Sequence, residues 1–137
     1  MENHELVKPS KGKHHVYYNA NPAHKETTDC IIRALAVAFD KKWIEVFDEL
    51  STIARENFES LGSKEVYSKY LERQGAEYIK TMEKGKKRLS GEDFARQYKS
   101  GIYILRMANH LTVCVGGVIY DTWDCSGKMV YNAWLVR

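Results

Sequence analysis

Apolar residues in the first half of the chain follow the spacing of helices. Between Cys30 and Phe39 nearly every residue except Arg33 is apolar, which predicts a helix that is buried on all sides rather than lying on a surface. Thr28 or Asp29 is a natural N-cap, because the side-chain oxygen of either accepts a free amide of the first turn. Cys30 is therefore expected in the first turn of a buried helix.

Two more helices are predicted from a one-sided apolar stripe. Residues 42–55 repeat apolar side chains at helical spacing, and these are expected to pack in the core: Trp43, Val46, Phe47, Leu50, Ile53 and Ala54. Residues 63–74 form the third helix, whose inward side chains are Val66, Tyr67, Tyr70 and Leu71. Gly75 follows as a suitable stop, since glycine readily adopts the left-handed conformation at a helix end.

The second half of the chain changes to the alternation of strands. Residues 76–82 are compatible with a strand, and the run from Ser90 to Asp93 resembles a capping box that opens a short helix ending at Tyr98. The β-rich runs that follow cover 102–107, 110–115, 118–123 and 129–136. Because helices precede an antiparallel sheet, the predicted class is α+β, with the N-terminal buried helix packed on the C-terminal sheet.

The chain divides into an arm, residues 1–18, and a single domain, residues 19–137. The first fifteen residues are polar and are expected to be loose, whereas residues 16–18 are compatible with a short edge strand. A length of 137 residues leaves no room for a second core. The start of the chain has no apolar segment typical of a secretory signal, and no apolar run approaches the ~18 residues of a membrane span. A cytoplasmic location without membrane contact is therefore expected.

Charge and cysteine content narrow the function. Twenty-one Lys and Arg against eighteen Asp and Glu give a net charge of +3, which is short of the charge of a dedicated nucleic-acid binder. The basic run 84–88 could contact phosphates, but a solvated loop is the favoured interpretation, so nucleic acid is not expected as a partner. Three cysteines, an odd number without a secretory signal, argue against a disulfide framework and leave at least one free thiol.

Cys30 is the thiol with the most reactive predicted surroundings. The dipole and free amides at a helix N-terminus favour the thiolate, which is the nucleophilic form of cysteine. The same amides can donate to an oxyanion after the thiolate has attacked a carbonyl. The sequence therefore offers Cys30 either as a nucleophile or as a small buried apolar residue at a helix start.

His110 opens a predicted strand and has a carboxylate within predicted reach. If Gly116-Gly117 forms a two-residue turn, His110 lies opposite Trp123 and Thr112 lies opposite Asp121. Alternation then places the side chains of His110, Asp121 and Trp123 on one face, with Asp121 diagonal to His110. A turn of odd length would reverse the parity and favour Asp124 instead. The two-residue turn, and with it Asp121, is the preferred interpretation.

This set of residues resembles the papain-like cysteine peptidase superfamily. The resemblance lies in Asp-Cys-Ile-Ile-Arg-Ala at residues 29–34, in His110 at a strand start, and in Gly-Val-Ile-Tyr-Asp-Thr-Trp-Asp at residues 117–124. These motifs are similar to those of small papain-fold proteins encoded by phages and their Gram-positive bacterial hosts. The resemblance covers about residues 19–137 and implies a papain-like fold.

The resemblance also implies roles for individual residues. Cys30 would be the nucleophile of a cysteine hydrolase, and His110 the base and then the acid for the leaving group. Asp121 would orient His110, and Trp123 would shield that contact from water. Arg33 matches an arginine of the family pattern, which fits either a packing or a site role.

Stabilisation of the oxyanion is where the sequence departs from the family. The Cys30 backbone amide would supply one donor, whereas papain-like enzymes place a glutamine about six residues earlier as the other. Here that position is His24, and Asn19, Asn21 or His24 is expected to substitute, since each can donate a hydrogen bond. Because the glutamine is absent from this position, a papain-like fold does not by itself imply efficient peptidase activity.

No metal or other cofactor is expected. Cys114 lies four strand positions from His110, roughly 13 Å along a strand, which is too far for both to bind one metal. Cys125 follows Asp124 near a turn and is expected to be a bystander. Arg33 needs a partner on an otherwise apolar helix, and Asp48 of the second helix is the predicted one.

Two functions follow from the sequence. The first is a cysteine hydrolase that forms an acyl-enzyme with a peptide or protein substrate bearing an amide, isopeptide or thioester bond. The second is a papain-fold module that engages a host or bacterial protein without turnover, which the missing glutamine motivates. The substrate and the oligomeric state are not encoded in any pattern of this chain.

Overall fold

Four helices and a six-stranded sheet make up the part of the chain that the computed structural model describes, residues 1–80 and 87–137. The helices are α1 (Cys30–Ala38), α2 (Trp43–Asn57), α3 (Lys64–Arg73) and α4 (Gly91–Gln97). The strands are β1 (His15–Tyr17), β2 (Glu77–Tyr78), β3 (Ile102–Met107), β4 (His110–Val115), β5 (Val118–Asp121) and β6 (Asn132–Leu135). The protein is therefore of mixed α and β structure.

The sheet has the order β1-β5-β4-β3-β6-β2 and is antiparallel except at one edge. There β1 pairs in parallel with β5, so the sheet as a whole is mixed, while the C-terminal strands β3 to β6 pair antiparallel as expected. The hairpin of β4 and β5 has the predicted register, because Val115 faces Val118. Gly116 and Gly117 have φ of +57° and +77°, which explains why two glycines form this turn.

Apolar side chains are buried on both faces of the sheet, since neighbouring strand residues belong to different clusters. One cluster joins α1, α2 and α3 to Ile104, Leu111 and Val113, and the other joins α4 to Leu105 and Cys114. Helix α1 packs chiefly against β4 and against α2. Its residues from Ile32 to Ala38 are all buried, as its apolar sequence predicts.

The N-terminal arm is held against the domain rather than loose. The amides of Glu2 and Asn3 donate to the Asp40 carboxylate, each at 2.9 Å. The buried His4 ring is bound between the Tyr18 hydroxyl and the Lys41 carbonyl, each at 2.7 Å. The expectation of a loose arm is therefore wrong, and the reason is a set of long-range contacts that local polarity does not reveal.

Several elements differ from the expectation, either in the exposure of a side chain or in length. In α2, Phe47 is 36% exposed and stacks on Trp43 at a centroid distance of 5.4 Å, because the apolar stripe is wider than the face that packs inward. Strand β5 ends at Asp121 and β6 begins at Asn132, so the runs 118–123 and 129–136 are only partly strand. Most of the predicted basic loop lies at 81–86, outside the described residues.

The starts and ends of two helices match the sequence expectation closely. Ser63 caps α3 by accepting the amide of Val66, and Gly75 follows that helix with φ of +82°. Ser90 caps α4 in the same way by accepting the amide of Asp93 at 3.1 Å. Within the described residues, none of the helices has the length and apolar character needed to cross a membrane.

Candidate active site

Cys30 is the first residue of α1, and the acid before it does not cap the helix. Asp29 occupies the N-cap position but makes no side-chain hydrogen bond to the first turn. Its carboxylate instead accepts Arg33 Nε at 2.8 Å, Trp43 Nε1 at 2.9 Å and Asn21 Nδ2 at 3.1 Å. The predicted capping role is therefore wrong for Asp29, and the amides at the start of α1 are left free of that side chain near the thiol.

His110 and Asp121 are brought together by the β4–β5 hairpin. His110 Nε2 lies 2.7 Å from Asp121 Oδ2. Thr112, two residues further along β4, donates its hydroxyl to the same oxygen at 2.6 Å. Asp121 is almost fully buried, so these donors replace water around its carboxylate. The predicted neighbourhood of His110 and Asp121 is confirmed, and the even turn length that fixes it is confirmed too.

Arg33 connects the helix to the hairpin. It is buried, and its Nη1 donates to Asp121 Oδ1 at 3.0 Å while its Nε binds Asp29. The predicted partner, Asp48, is exposed on the outer face of α2, so that expectation is wrong. One guanidinium thus neutralises two buried carboxylates, because its fork of donors reaches both.

The Cys30 thiol lies beside the His110 ring and near the backbone amide of Leu111, and all three residues line one cavity. Burial by itself raises the pKa of this thiol. The His110 contact, the Leu111 amide and the positive charges of His110 and Arg33 outweigh burial and lower the pKa below 9.0. The thiolate is therefore favoured relative to an ordinary cysteine.

The pKa values of His110 and Asp121 move in opposite directions. Burial lowers the pKa of His110, but its hydrogen bonds to Asp121, Cys125 and Cys30 raise it to about 11. Burial raises the pKa of Asp121, but bonds from His110 and Thr112 lower it to about 2. An ionised Asp121 accepts only, so Nε2 of His110 carries a proton and Nδ1 is left for Cys30. The contact between Cys30 and His110 therefore favours a thiolate–imidazolium pair more than an isolated cysteine and histidine would.

Trp123 and Asp124 occupy different surroundings. The Trp123 ring lies 4.9 Å from the His110 ring, centroid to centroid, and remains 44% exposed, so it covers His110 from solvent on one side. Asp124 is exposed and accepts the amide and hydroxyl of Ser126 at 3.0 and 2.6 Å. Asp124 therefore belongs to a turn, and it is Asp121 that contacts His110.

Cys125 is closer to the site than expected. Its buried Sγ lies 3.7 Å from Asp121 Oδ2 and also contacts His110, so the prediction that it is a bystander is wrong. Ligand-type atoms of these three residues lie within 4.8 Å of one another. The Asp121 oxygens already accept from Thr112, His110, Arg33 and Thr122. This hydrogen bonding fits an orienting carboxylate better than a metal ligand.

A cavity of about 350 Å³ opens beside Cys30 and His110. It contains side chains that the sequence analysis missed, contributed by α3, by β3 and by the turn before β4: Lys64, Tyr67, Arg106 and Asn109. Their convergence depends on tertiary packing. The only local signal is the predicted inward position of Tyr67 in the third helix, a position that is equally typical of a core residue.

The expected second oxyanion donors are directed elsewhere. Asn19, Asn21 and His24 line a separate cavity that does not include Cys30. The Asn19 side-chain amide donates to the Lys25 carbonyl at 2.9 Å, and that of Asn21 is bound to Asp29. None of the three therefore lines the cavity that contains the thiol.

Comparisons with known proteins returned no match: no protein-family model, no curated protein and no solved structure matches this chain.

Proposed function

We propose that this protein is a cysteine hydrolase of the papain-like class. The observation that carries the proposal is one continuous set of contacts, from the Cys30 thiol to His110 and from His110 Nε2 to Asp121 at 2.7 Å. A thiol at a helix start, an imidazole on a neighbouring strand and a buried acid behind it are the parts that nucleophilic catalysis by cysteine requires. Their chain order, cysteine then histidine then acid, supports the papain-like class.

The geometry supports an acyl-enzyme route. The Cys30 thiolate would attack the substrate carbonyl carbon to form a carbon–sulfur bond, and the Cys30 backbone amide would donate to the oxyanion. His110 would then give its Nδ1 proton to the leaving amine or thiol as the carbonyl re-forms. In the second half His110 would take a proton from water, whose oxygen attacks the thioester and releases Cys30. Asp121 would hold the imidazole in place throughout.

The positions of Asn19, Asn21 and His24 favour a second candidate function. These side chains do not line the cavity that contains the thiol. None of them therefore supplies the second oxyanion donor that the papain-like mechanism requires. Losing one such donor costs roughly 3–4 kcal/mol of transition-state stabilisation. A module that binds a protein partner, or captures an acyl group without releasing it, is the alternative that this observation supports.

Incubation with a glycyl benzyl thioester and with a peptidyl coumarin amide separates these functions. For a hydrolase we expect product release that is lost in Cys30→Ala and in His110→Ala and retained in Cys114→Ala, the matched control thiol. Mass spectrometry after an acid quench is expected to find the acyl group on Cys30. A stable acyl adduct, with the leaving group released only once per Cys30 and no further turnover, would favour the binding module. Product release that persists in Cys30→Ala would overturn the proposed nucleophile.

A further inference from the structure

The cavity beside Cys30 is positively charged. Its ten lining residues all lie in the described part of the chain, and they include Lys64 and Arg106 but no Asp or Glu. His110, which also lines it, adds a third positive charge when protonated. A substrate that enters this cavity therefore meets cations from α3, β3 and β4 on the way to the thiol.

Arg106 is held by neutral groups. Its Nη1 donates to Asn132 Oδ1 at 2.9 Å, and its guanidinium lies 5.6 Å from the centre of the Tyr131 ring. The Tyr67 hydroxyl lies beside the same guanidinium. Asn132 is itself oriented, because its Nδ2 donates to the Tyr78 hydroxyl at 2.8 Å. These contacts fix the direction of the guanidinium without cancelling its charge.

A comparison with Arg33 shows what Arg106 lacks. Arg33 is bound to two carboxylates, whereas neither Arg106 nor Lys64 forms a salt bridge within residues 1–80 and 87–137. A half-buried guanidinium is partly stripped of water, and a planar carboxylate is the partner that its donors match best. The free donors of Arg106 are therefore available to a ligand in the cavity.

We propose that Arg106, Tyr67 and Lys64 form a carboxylate-binding subsite, so that the substrate carries a carboxylate close to the bond that Cys30 attacks. An acidic side chain or a terminal carboxylate next to the scissile carbonyl has this chemistry. The inference rests on the proposed function, since it assigns the substrate class of the same cavity. It makes Arg106 a specificity-determining residue.

The test compares two alkylating agents of nearly equal size at Cys30. Iodoacetate carries a carboxylate and iodoacetamide does not, so the ratio of their rate constants at low salt reports the charge beside the thiol. We expect Arg106→Gln to lower this ratio about three- to tenfold, the size expected of one nearby, partly screened charge. Lys64→Gln, at an exposed position, is expected to lower it in the same direction, and Arg106→Lys to preserve most of it.

The matched control is Arg96→Gln, which removes the same charge from the outer surface of α4, where Arg96 pairs with Glu92. The subsite would be overturned if the ratio of the iodoacetate to the iodoacetamide rate constant falls equally in Arg96→Gln. It would also be overturned if this ratio stays unchanged in both Arg106→Gln and Lys64→Gln. Glutarate is expected to protect Cys30 from iodoacetate, and protection by inorganic phosphate alone would contradict the carboxylate assignment. If iodoacetamide itself fails to label Cys30 preferentially, it is the proposed function that fails, so the two failures are distinguishable.

Discussion

Cys30 and Cys114 carry the same chemical group in opposite electrostatic surroundings. Both thiols are desolvated, and burial raises the pKa of each. Cys114, the residue before the last of β4, is fully buried among apolar side chains, and its pKa rises to about 12. Cys30, at the start of α1, has a pKa below 9.0. The difference therefore comes from the more complete burial of Cys114 together with the neighbours of the Cys30 sulfur, which overcome the effect of burial.

The contrast also shows which neighbour matters. Cys114 interacts with two backbone amides, those of Gly117 and Val118, and these lower its pKa too little to offset burial. Cys30 interacts with one such amide, from Leu111, but it also contacts His110. Backbone donors alone thus leave a buried thiol protonated, whereas an imidazole held by a carboxylate favours the thiolate.

The largest expected change comes from removing the cation between the two buried acids. Arg33→Met should lower the free energy of unfolding by about 3–5 kcal/mol, because Asp29 and Asp121 would remain buried without a positive partner. Arg55→Met, at an exposed position of α2, is the matched control and should change it by less than about 0.5 kcal/mol. Denaturant titration measures both. Methionine keeps much of the volume of arginine but not its charge. Equally small effects in the two variants would therefore mean that the charge of Arg33 does not stabilise the fold.

Acid should remove part of the stability that Asp121 contributes. Its pKa is lowered to about 2 from 3.8, so the contribution is complete above pH 3.8 and is lost as the pH falls through about 2. The shift corresponds to about 2 kcal/mol. The difference in unfolding free energy between the unsubstituted protein and Asp121→Asn should therefore narrow between pH 4 and pH 2. If this difference in unfolding free energy does not change with pH, the result would contradict an ionised Asp121.

A smaller effect distinguishes the two neighbouring acids. In Asp121→Asn the pKa of His110 should fall and that of Cys30 should rise, so alkylation of Cys30 at pH 6 should slow about tenfold, as a shift of one pKa unit requires. Asp124→Asn, in the exposed turn, should leave the rate unchanged. Slowing in Asp124→Asn instead would transfer the orienting role to that residue.

Much of the site could be predicted because it depends on local rules. The apolar run after Asp29 indicates the buried helix that presents Cys30, and the glycine pair indicates the register that joins Asp121 to His110. What could not be predicted depends on contacts between distant segments. The Asp29 side chain was expected at the helix cap, but Trp43 and Asn21 approach it only after folding.

The residues that line the cavity could not be predicted from local patterns for the same reason. Tyr67 has the spacing of a core residue, and Arg106 has that of an outward strand position, so neither pattern distinguishes a wall of the site from ordinary packing. Their approach to Cys30 depends on how Tyr67 of α3 packs against the sheet, where it contacts Trp134 of β6. Cys125 was likewise assigned to a turn, whereas the chain after β5 returns it to the buried acid.

The central claim is that His110 holds Cys30 as a thiolate, and the pH dependence of Cys30 alkylation by iodoacetamide tests it most directly. Read by mass spectrometry at each cysteine, the rate for Cys30 should rise with a midpoint below pH 9.0, while Cys114 stays almost unreactive up to that pH. The low-pH reactivity should be lost in His110→Ala. A Cys30 rate that rises only near pH 9.0, with the same profile in His110→Ala, would contradict the claim.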